Sequence, residues 1–224
     1  MSQRLDPALS RAVEAFAAGE PVLVHDFADR EGEVDLVSPA ADVDARAVAR
    51  MRNDAGGLVC VALAPDVADA LALPFVADVL DHPASGGPVA YDERSSFSLS
   101  VNHRDTYTGV TDNDRSLTIR RLAEVAEPAR DGEYDVDDFA AEFRAPGHVH
   151  LLRGAPNGLR DREGHTELGL ALAEAAHRPP AVVVCEMLDD RTGGALAPAD
   201  ARRYADDHDL VFVEGREVVD ACRR

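Results

Sequence analysis

Lysine and tryptophan are both absent from this chain of 224 residues. The 23 basic residues are therefore all arginine, and they face 42 acidic residues for a formal net charge of −19. Without lysine the chain cannot be a Schiff-base aldolase, a pyridoxal phosphate enzyme or a P-loop nucleotide hydrolase. A phosphate backbone requires a basic face, so we also expect no nucleic-acid partner.

Long apolar runs and paired cysteines are missing as well. No run approaches the roughly 18 residues that a membrane span needs, and residues 1–6 lack the features of a signal peptide. Cys60, Cys185 and Cys222 form no CxxC pair, which argues against a zinc knuckle or a disulfide framework. We therefore expect a cytoplasmic protein without a membrane partner. Its acidic, lysine-free composition is typical of adaptation to molar salt, where the Debye length is about 3 Å.

Apolar segments of helical and strand character alternate along the chain without a break in composition. This pattern predicts one α/β domain over residues 1–224. Helices are predicted at 8–18, from 42 or 44 to about 55, and at 111–126, 166–176 and from 198. Strands are predicted at 21–24, 36–38, 58–63, 97–102, 149–152, 181–188 and 210–213, with a loop at 74–94 and a short tail after the last strand. In the strand at 97–102 the odd-numbered apolar residues are expected to be buried.

An acidic loop is predicted at 26–35, after the first strand, and its segment DREGEVD at 29–35 has the highest density of charged residues. If it is extended, Glu31, Glu33 and Asp35 lie on one side and offer oxygen ligands that suit a hard divalent cation. Arg30 could hold a phosphate or one of these carboxylates. The alternative, on so acidic a chain, is a solvated loop without a ligand.

A second polar segment, REGHTE at 162–167, stands where a helix is predicted to begin. The free N–H groups of a helix start, together with Arg162 and the hydroxyl of Thr166, favour a phosphate site. His165 could bind a metal. The alternative is an ordinary helix start that Thr166 caps.

Four isolated residues have both a functional and a structural interpretation. His148 lies in a turn that enters a predicted strand, where a histidine is usually only a surface residue. Glu186 interrupts an apolar strand near its carboxyl end, which indicates either a site or a structural ion pair. Thr108 could line the phosphate end of a site or belong to a helix cap. Cys60, inside an apolar strand, is better explained as a core residue than as a nucleophile.

Six segments in this order resemble the 3,4-dihydroxy-2-butanone 4-phosphate synthase family, and especially its archaeal branch: DREGEVDL, GLVCVAL, FSLSVNHRDTYTGVTDNDRSLTIRRLA, FRAPGHVHLLR, REGHTELGLALA and PPAVVVCEMLDD. The resemblance implies a mixed β-sheet flanked by helices and a homodimer with sites near its interface. It also implies conversion of D-ribulose 5-phosphate to L-3,4-dihydroxy-2-butanone 4-phosphate and formate in riboflavin biosynthesis, with Mg²⁺ as the cofactor. Manganese should substitute for magnesium.

The same resemblance implies roles for individual residues. Magnesium would be held by Glu31 and His165, and turnover would also need His148 and Glu186. The substrate would be contacted by residues of the acidic loop and of the helix start, together with Thr108 and Glu186: Arg30, Glu31, Asp35, Thr108, Arg162, Glu163, Gly164, His165, Thr166 and Glu186. Asn102 departs from the family pattern, because an aspartate is expected at its position.

Two other functions stay open on the sequence alone. A pentose-phosphate isomerase or epimerase would share the enediolate chemistry but would lose no carbon, so formate release distinguishes it. A sugar-phosphate binding protein without activity would have no need of His148 and Glu186 beside the phosphate site.

Overall fold

Strands and helices interleave along the chain, as the alternating apolar segments predict. The structure is a computed structural model that describes residues 7–27, 30, 32–85 and 94–222. Its strands are β1 (Val22–His25), β2 (Val34–Pro39), β3 (Cys60–Leu63), β4 (Phe97–His103), β5 (Phe143–Arg153), β6 (Ala181–Glu186), β7 (Leu188–Asp189), β8 (Gly194–Ala195) and β9 (Val211–Glu214). Its helices are α1 (Pro7–Ala17), α2 (Ala45–Asp54), α3 (Pro65–Ala70), α4 (Val76–Val79), α5 (Asp112–Arg130), α6 (Val136–Glu142), α7 (His165–Ala175), α8 (Pro198–Asp207) and α9 (Gly215–Cys222).

A seven-stranded sheet in the order β4-β5-β3-β6-β2-β1-β9 forms the centre of the protein. The pairs β1/β9 and β3/β5 are parallel, and the other neighbours are antiparallel. A separate short hairpin consists of β7 and β8. The predicted mixed sheet flanked by helices is therefore confirmed.

Apolar side chains are packed on both faces of this sheet. On one face α2, α3, α5 and α8 contribute residues such as Met51 and Ile119. On the other face α1, α7 and α9 contribute residues such as Phe16 and Leu168. The central strand β6 is apolar without alternation because its side chains are buried on both faces. None of the helices in the described ranges has the length and apolar character that crossing a membrane requires.

The boundaries of two strands differ from the prediction in ways that affect the site. β2 begins at Val34, which pairs with His25 of β1, so Asp35 lies in a strand and not in the loop. β5 begins at Phe143, so His148 lies within a strand and not in a turn before it. The long pairing of β5 with β4 extends the strand beyond its apolar part.

Other expectations were wrong in detail. The predicted alternation in β4 fails: Ser98 and Asn102 are buried while Phe97 is exposed, because the pairing of β4 with β5 is irregular at two places. The prediction omitted the helices α3, α4, α6 and α9, and α9 replaces the expected tail. The start of α6 is fixed by a capping box between Asp135 and Asp138.

Candidate active site

The acidic loop forms the turn of the β1–β2 hairpin. The buried carboxylate of Asp26 accepts a hydrogen bond from the N–H of Glu33 at 3.0 Å, and the N–H of Asp26 donates to the Glu33 carbonyl at 3.1 Å. Gly32 has a left-handed φ of 69°, and its N–H donates to the carbonyl of Phe27 at 3.2 Å. These bonds fix the base of the loop. Glu31, the predicted metal ligand, lies outside the described residues.

Asp35 and Glu186 face each other across neighbouring strands. They are directly opposite in the antiparallel pairing of β2 with β6, where paired Cα atoms are about 4.5–5.5 Å apart. Asp35 is only 2% exposed, whereas Glu186 is partly buried. Alternation places both side chains on the same face as Val37 and Val184, the face that α7 covers. Two carboxylates thus share one end of this face.

The first turn of α7 lies beside these carboxylates. His165 is its first residue, and His165 Nδ1 is 3.8 Å from Asp35 Oδ2. Gly164 occupies the N-cap position, and a Cβ there would collide with the guanidinium of Arg30, so glycine allows Arg30 to pack on the helix start. Thr166 is 1% exposed, and its hydroxyl has no hydrogen-bond partner within the described part of the chain. The alternative that Thr166 caps the helix is therefore wrong.

Glu167, in the first turn of α7, contacts the loop that precedes this helix. It is buried, and its Oε1 accepts a hydrogen bond from the N–H of Ala155 at 3.0 Å, while Oε2 lies 4.0 Å from Arg162 Nε. Burial raises the pKa of Glu167, although Arg162 and the Ala155 N–H oppose that rise. Glu163, partly buried, belongs to the same turn. Sequence reasoning gave Glu167 no role of its own; its position in the first helical turn was the available signal.

His148 is held by a residue of the neighbouring strand. The N–H of His148 donates to Asn102 Oδ1 at 2.8 Å, and Asn102 Nδ2 lies 3.1 Å from His148 Nδ1. His150 lies on the same face two residues further along β5. Burial lowers the pKa of His150, and a positive charge on His148, when that ring is protonated, acts in the same direction. Only the departure from the expected aspartate had drawn attention to Asn102.

The sheet register relates His148 to Glu186. Cys60 of β3 pairs with His150 on one side and with Val184 on the other. His148 and Glu186 each lie two residues beyond these partners, toward the same end of the sheet. Burial raises the pKa of Cys60 to about 12, which agrees with a core residue and not with a nucleophile.

Thr108 is the predicted site residue that the structure does not bring to the start of α7. Its N–H and hydroxyl donate to the carboxylate of Asp114 at 3.2 and 3.1 Å, within the loop that precedes α5. The next residue, Gly109, has a left-handed φ of 84° and lies against the side chain of Asn102, where a Cβ would overlap. Thr108 is therefore near His148.

Comparison with known proteins identifies the family. The sequence model of the 3,4-dihydroxy-2-butanone 4-phosphate synthase family matches residues 10–221. The chain belongs to this family. A 3,4-dihydroxy-2-butanone 4-phosphate synthase of Archaeoglobus fulgidus is 49% identical over 223 residues, covering 95% of this chain and 93% of the relative. One of Methanothermobacter thermautotrophicus is 42% identical over 222 residues, covering 95% of each chain.

Solved structures agree with these sequence relatives. A crystal structure of a 3,4-dihydroxy-2-butanone 4-phosphate synthase in complex with two magnesium ions is 31% identical, has a TM-score of 0.79 and covers 95% of this chain and 94% of its own. A cation-free form of such an enzyme is 29% identical, with a TM-score of 0.80 and 98% coverage of both chains. The predicted family, its archaeal affinity and the function that the family name describes are confirmed.

Proposed function

We propose that this chain is a magnesium-dependent lyase of riboflavin biosynthesis that converts D-ribulose 5-phosphate to L-3,4-dihydroxy-2-butanone 4-phosphate and formate. The observation that carries the proposal is that Asp35, Glu186 and the first turn of α7 meet at one end of one sheet face. Family membership supplies the reaction. The geometry supports the assignment of one site for the sugar and another for its phosphate.

The phosphate is assigned to the start of α7. A helix of this length presents unpaired N–H groups and a positive dipole end at its first turn. Thr166 adds a buried hydroxyl, and Arg162 adds a guanidinium positioned by Glu167. A dianionic group matches this set of donors better than a neutral one does, because hydrogen bonds to charged groups are the stronger ones.

The donor set also fits a hard divalent cation. Asp35 and His165 supply a carboxylate and an imidazole 3.8 Å apart, and Glu33 stands at the base of the same loop. The described ranges contain no group of three or more His, Cys, Asp or Glu side chains placed to hold a metal, but Glu31 lies outside those ranges. We assign Glu31 and His165 as the protein ligands. Magnesium, when bound, supplies stabilisation of negative charge on the sugar oxygens.

Glu186 and His148 are assigned to proton transfer. They lie toward the same end of the sheet, on strands that β3 separates, and this separation leaves room for a five-carbon sugar between them. Asp35 and Arg30 would orient the sugar hydroxyls, since one is buried beside Glu186 and the other packs on the helix start. The reaction balances without an oxidant, because the water lost at C1 is regained when C4 leaves as formate.

A homodimer is part of the proposal. β4 is an edge strand of the sheet, and it carries the exposed ring of Phe97. The loop after β4 exposes Val110 and, at 94% of its surface, Tyr107. Apolar side chains gathered at a sheet edge favour a second chain as their partner. Such a partner would bring the loop of Thr108 toward the other subunit's site, which would give Thr108 the substrate role that contacts within one chain do not provide.

The decisive experiment incubates the purified chain with ribulose 5-phosphate and magnesium and measures formate. Formate together with the four-carbon phosphate supports the proposal. A new pentose phosphate without formate would establish an isomerase or epimerase, and calorimetric binding without turnover would establish a binding protein. Glu186→Gln should lower turnover by about 100- to 10,000-fold with substrate affinity nearly kept. A variant with normal turnover would return Glu186 to a structural role.

Sedimentation tests the dimer separately. We expect the parent chain to sediment as a dimer and Tyr107→Ser to shift the distribution toward monomer, since this ring is almost fully exposed in one chain. A monomeric parent would contradict the assignment. The cytoplasmic location, the use of manganese and the lack of nucleic-acid and membrane partners stay predictions.

A further inference from the structure

Asn102 is a buried amide that sits between two glycines. It is 3% exposed and lies on β4 beside His148 of β5. A Cβ on Gly109 would overlap the side chain of Asn102, and a Cβ on Gly147 would overlap the backbone of Val101 and Asn102. Because both neighbours lack a side chain, the amide can approach the histidine closely.

The hydrogen bonds of Asn102 determine which way its amide group points. The backbone N–H of His148 can only donate, so the side-chain atom 2.8 Å from it is the oxygen, Oδ1. The amide nitrogen therefore faces His148 Nδ1, at 3.1 Å. An amide nitrogen can only donate, so this ring nitrogen must accept. In a neutral imidazole whose Nδ1 accepts, the proton is on Nε2.

We propose that Asn102 is a positioning residue that holds His148 in the tautomer protonated at Nε2. An aspartate at position 102 would act in the opposite sense, because its second oxygen would accept a hydrogen bond from a protonated Nδ1 and so leave the lone pair on Nε2. Asn102 thus places a hydrogen-bond donor beside the ring, where the expected aspartate would place an acceptor.

The catalytic consequence, unlike the tautomer itself, rests on the proposed function. With its proton on Nε2, His148 enters the reaction as a hydrogen-bond donor or acid at that atom and not as the base. Removal of the first substrate proton then falls to another group. Of the two carboxylates that face each other on β2 and β6, Glu186 is the one that the proposed function assigns to proton transfer, whereas Asp35 orients the sugar. Asn102 therefore divides the acid and base roles between His148 and Glu186.

Nitrogen NMR of ¹⁵N-histidine-labelled, full-length protein without substrate tests the tautomer directly. The chain has 8 histidines, and the His148 signals are assigned by their loss in His148→Gln. We expect a pyridine-like Nδ1 and a pyrrole-like Nε2 in the parent chain, and the reverse in Asn102→Asp. Asn113→Asp is the matched control, because it adds the same charge at an exposed position of α5 and should leave the pattern unchanged. A pyridine-like Nε2 in the parent chain overturns the proposal, whatever the folding of the variants.

Kinetics separate positioning from a purely structural effect. Asn102→Asp should lower kcat by about 100- to 10,000-fold with KM nearly kept, as loss of acid catalysis does. In the His148→Gln background, Asn102→Asp should lower kcat little further, because the imidazole ring on which Asn102 acts is absent. An equal loss in both backgrounds would mean that Asn102 acts through the fold. If the parent chain released no formate, the proposed function would fail, while the NMR result would still decide the tautomer.

Discussion

Thr166→Val removes one hydroxyl from the first turn of α7 and should affect stability and substrate binding in opposite directions. Thr166 is 1% exposed, and its hydroxyl has no hydrogen-bond partner within the described residues. An unpaired buried hydroxyl costs about 1–3 kcal/mol. Without ligand, the variant should therefore be as stable as the parent chain or more stable by up to that amount. For a chain of 224 residues each kcal/mol corresponds to roughly 2–4 °C in Tm.

Substrate binding should weaken in the same variant. We assign the Thr166 hydroxyl to the phosphate, and a hydrogen bond to a charged group contributes about 1.5–3 kcal/mol. Because about 1.4 kcal/mol corresponds to a factor of ten, KM should rise roughly 10- to 160-fold. On this assignment the contact with the phosphate is the same in the ground and transition states, so we expect kcat to change little.

Thr118→Val is the matched control. Thr118 is also a buried helical threonine, but its hydroxyl accepts from the N–H of His103 at 3.0 Å and donates to the Asp114 carbonyl at 3.1 Å. Valine there leaves the His103 N–H unpaired, so this variant should lose about 1–3 kcal/mol of stability. Thermal unfolding and steady-state formate release measure both effects. A Thr166→Val variant that is destabilised, with KM unchanged, would refute the reasoning.

Three further predictions concern metal, salt and pH. A chelator should abolish formate release, and Glu31→Gln should do the same without lowering Tm, whereas manganese should restore the turnover of the chelated parent chain. The Tm of the chain should fall on dialysis from molar to 0.1 M salt, because the Debye length grows from about 3 to about 10 Å and the repulsion within a chain of net charge −19 is then less screened. Burial raises the pKa of Glu167 above its usual 4.5, so the folded state holds this proton more tightly than the unfolded chain. The stability linked to that proton is present below about pH 4.5 and is lost as the pH rises through the raised pKa. In urea unfolding, the stability of Glu167→Gln relative to the parent chain should therefore increase as the pH rises above about 4.5.

Each of these predictions has an outcome that contradicts it. Normal turnover of Glu31→Gln would remove Glu31 from the metal site. A Tm that is indifferent to salt would contradict adaptation to molar salt. A Glu167→Gln variant that loses stability relative to the parent chain as the pH rises would mean that the attraction of Arg162 outweighs burial.

The sequence was most informative where a polar residue interrupts an apolar pattern. Glu186 was predicted as a site residue because a charge at the end of an apolar strand needs a partner or a function, and the residue directly opposite it is a second carboxylate, Asp35. The helix start at His165 was predicted within one residue, because the apolar period begins there. Both predictions depend only on neighbouring residues, so each could be made from a single segment of the sequence.

Boundaries set by pairing between strands were less predictable. Asp35 was expected in a loop because acidic residues are typical of loops, yet its backbone is paired on both sides, with Val24 and with Glu186. The burial pattern predicted for β4 from its alternating sequence was wrong for a related reason. Pairing irregularities turn Asn102 inward, and no pattern within six residues reveals where an irregularity lies.

The contact between Asn102 and His148 shows why sequence motifs alone do not predict which side chains of the site touch each other. The two residues are 46 positions apart, and they meet only because β4 and β5 are neighbours at one edge of the sheet. A motif can identify His148 as polar and reactive, but the tautomer of its ring depends on whether the atom beside Nδ1 donates or accepts. That atom belongs to another strand, and its access depends on glycines at 109 and 147. We therefore expect the chemical roles in this site to depend on pairs of residues from different segments, and the variants that test these roles need to change both members of a pair.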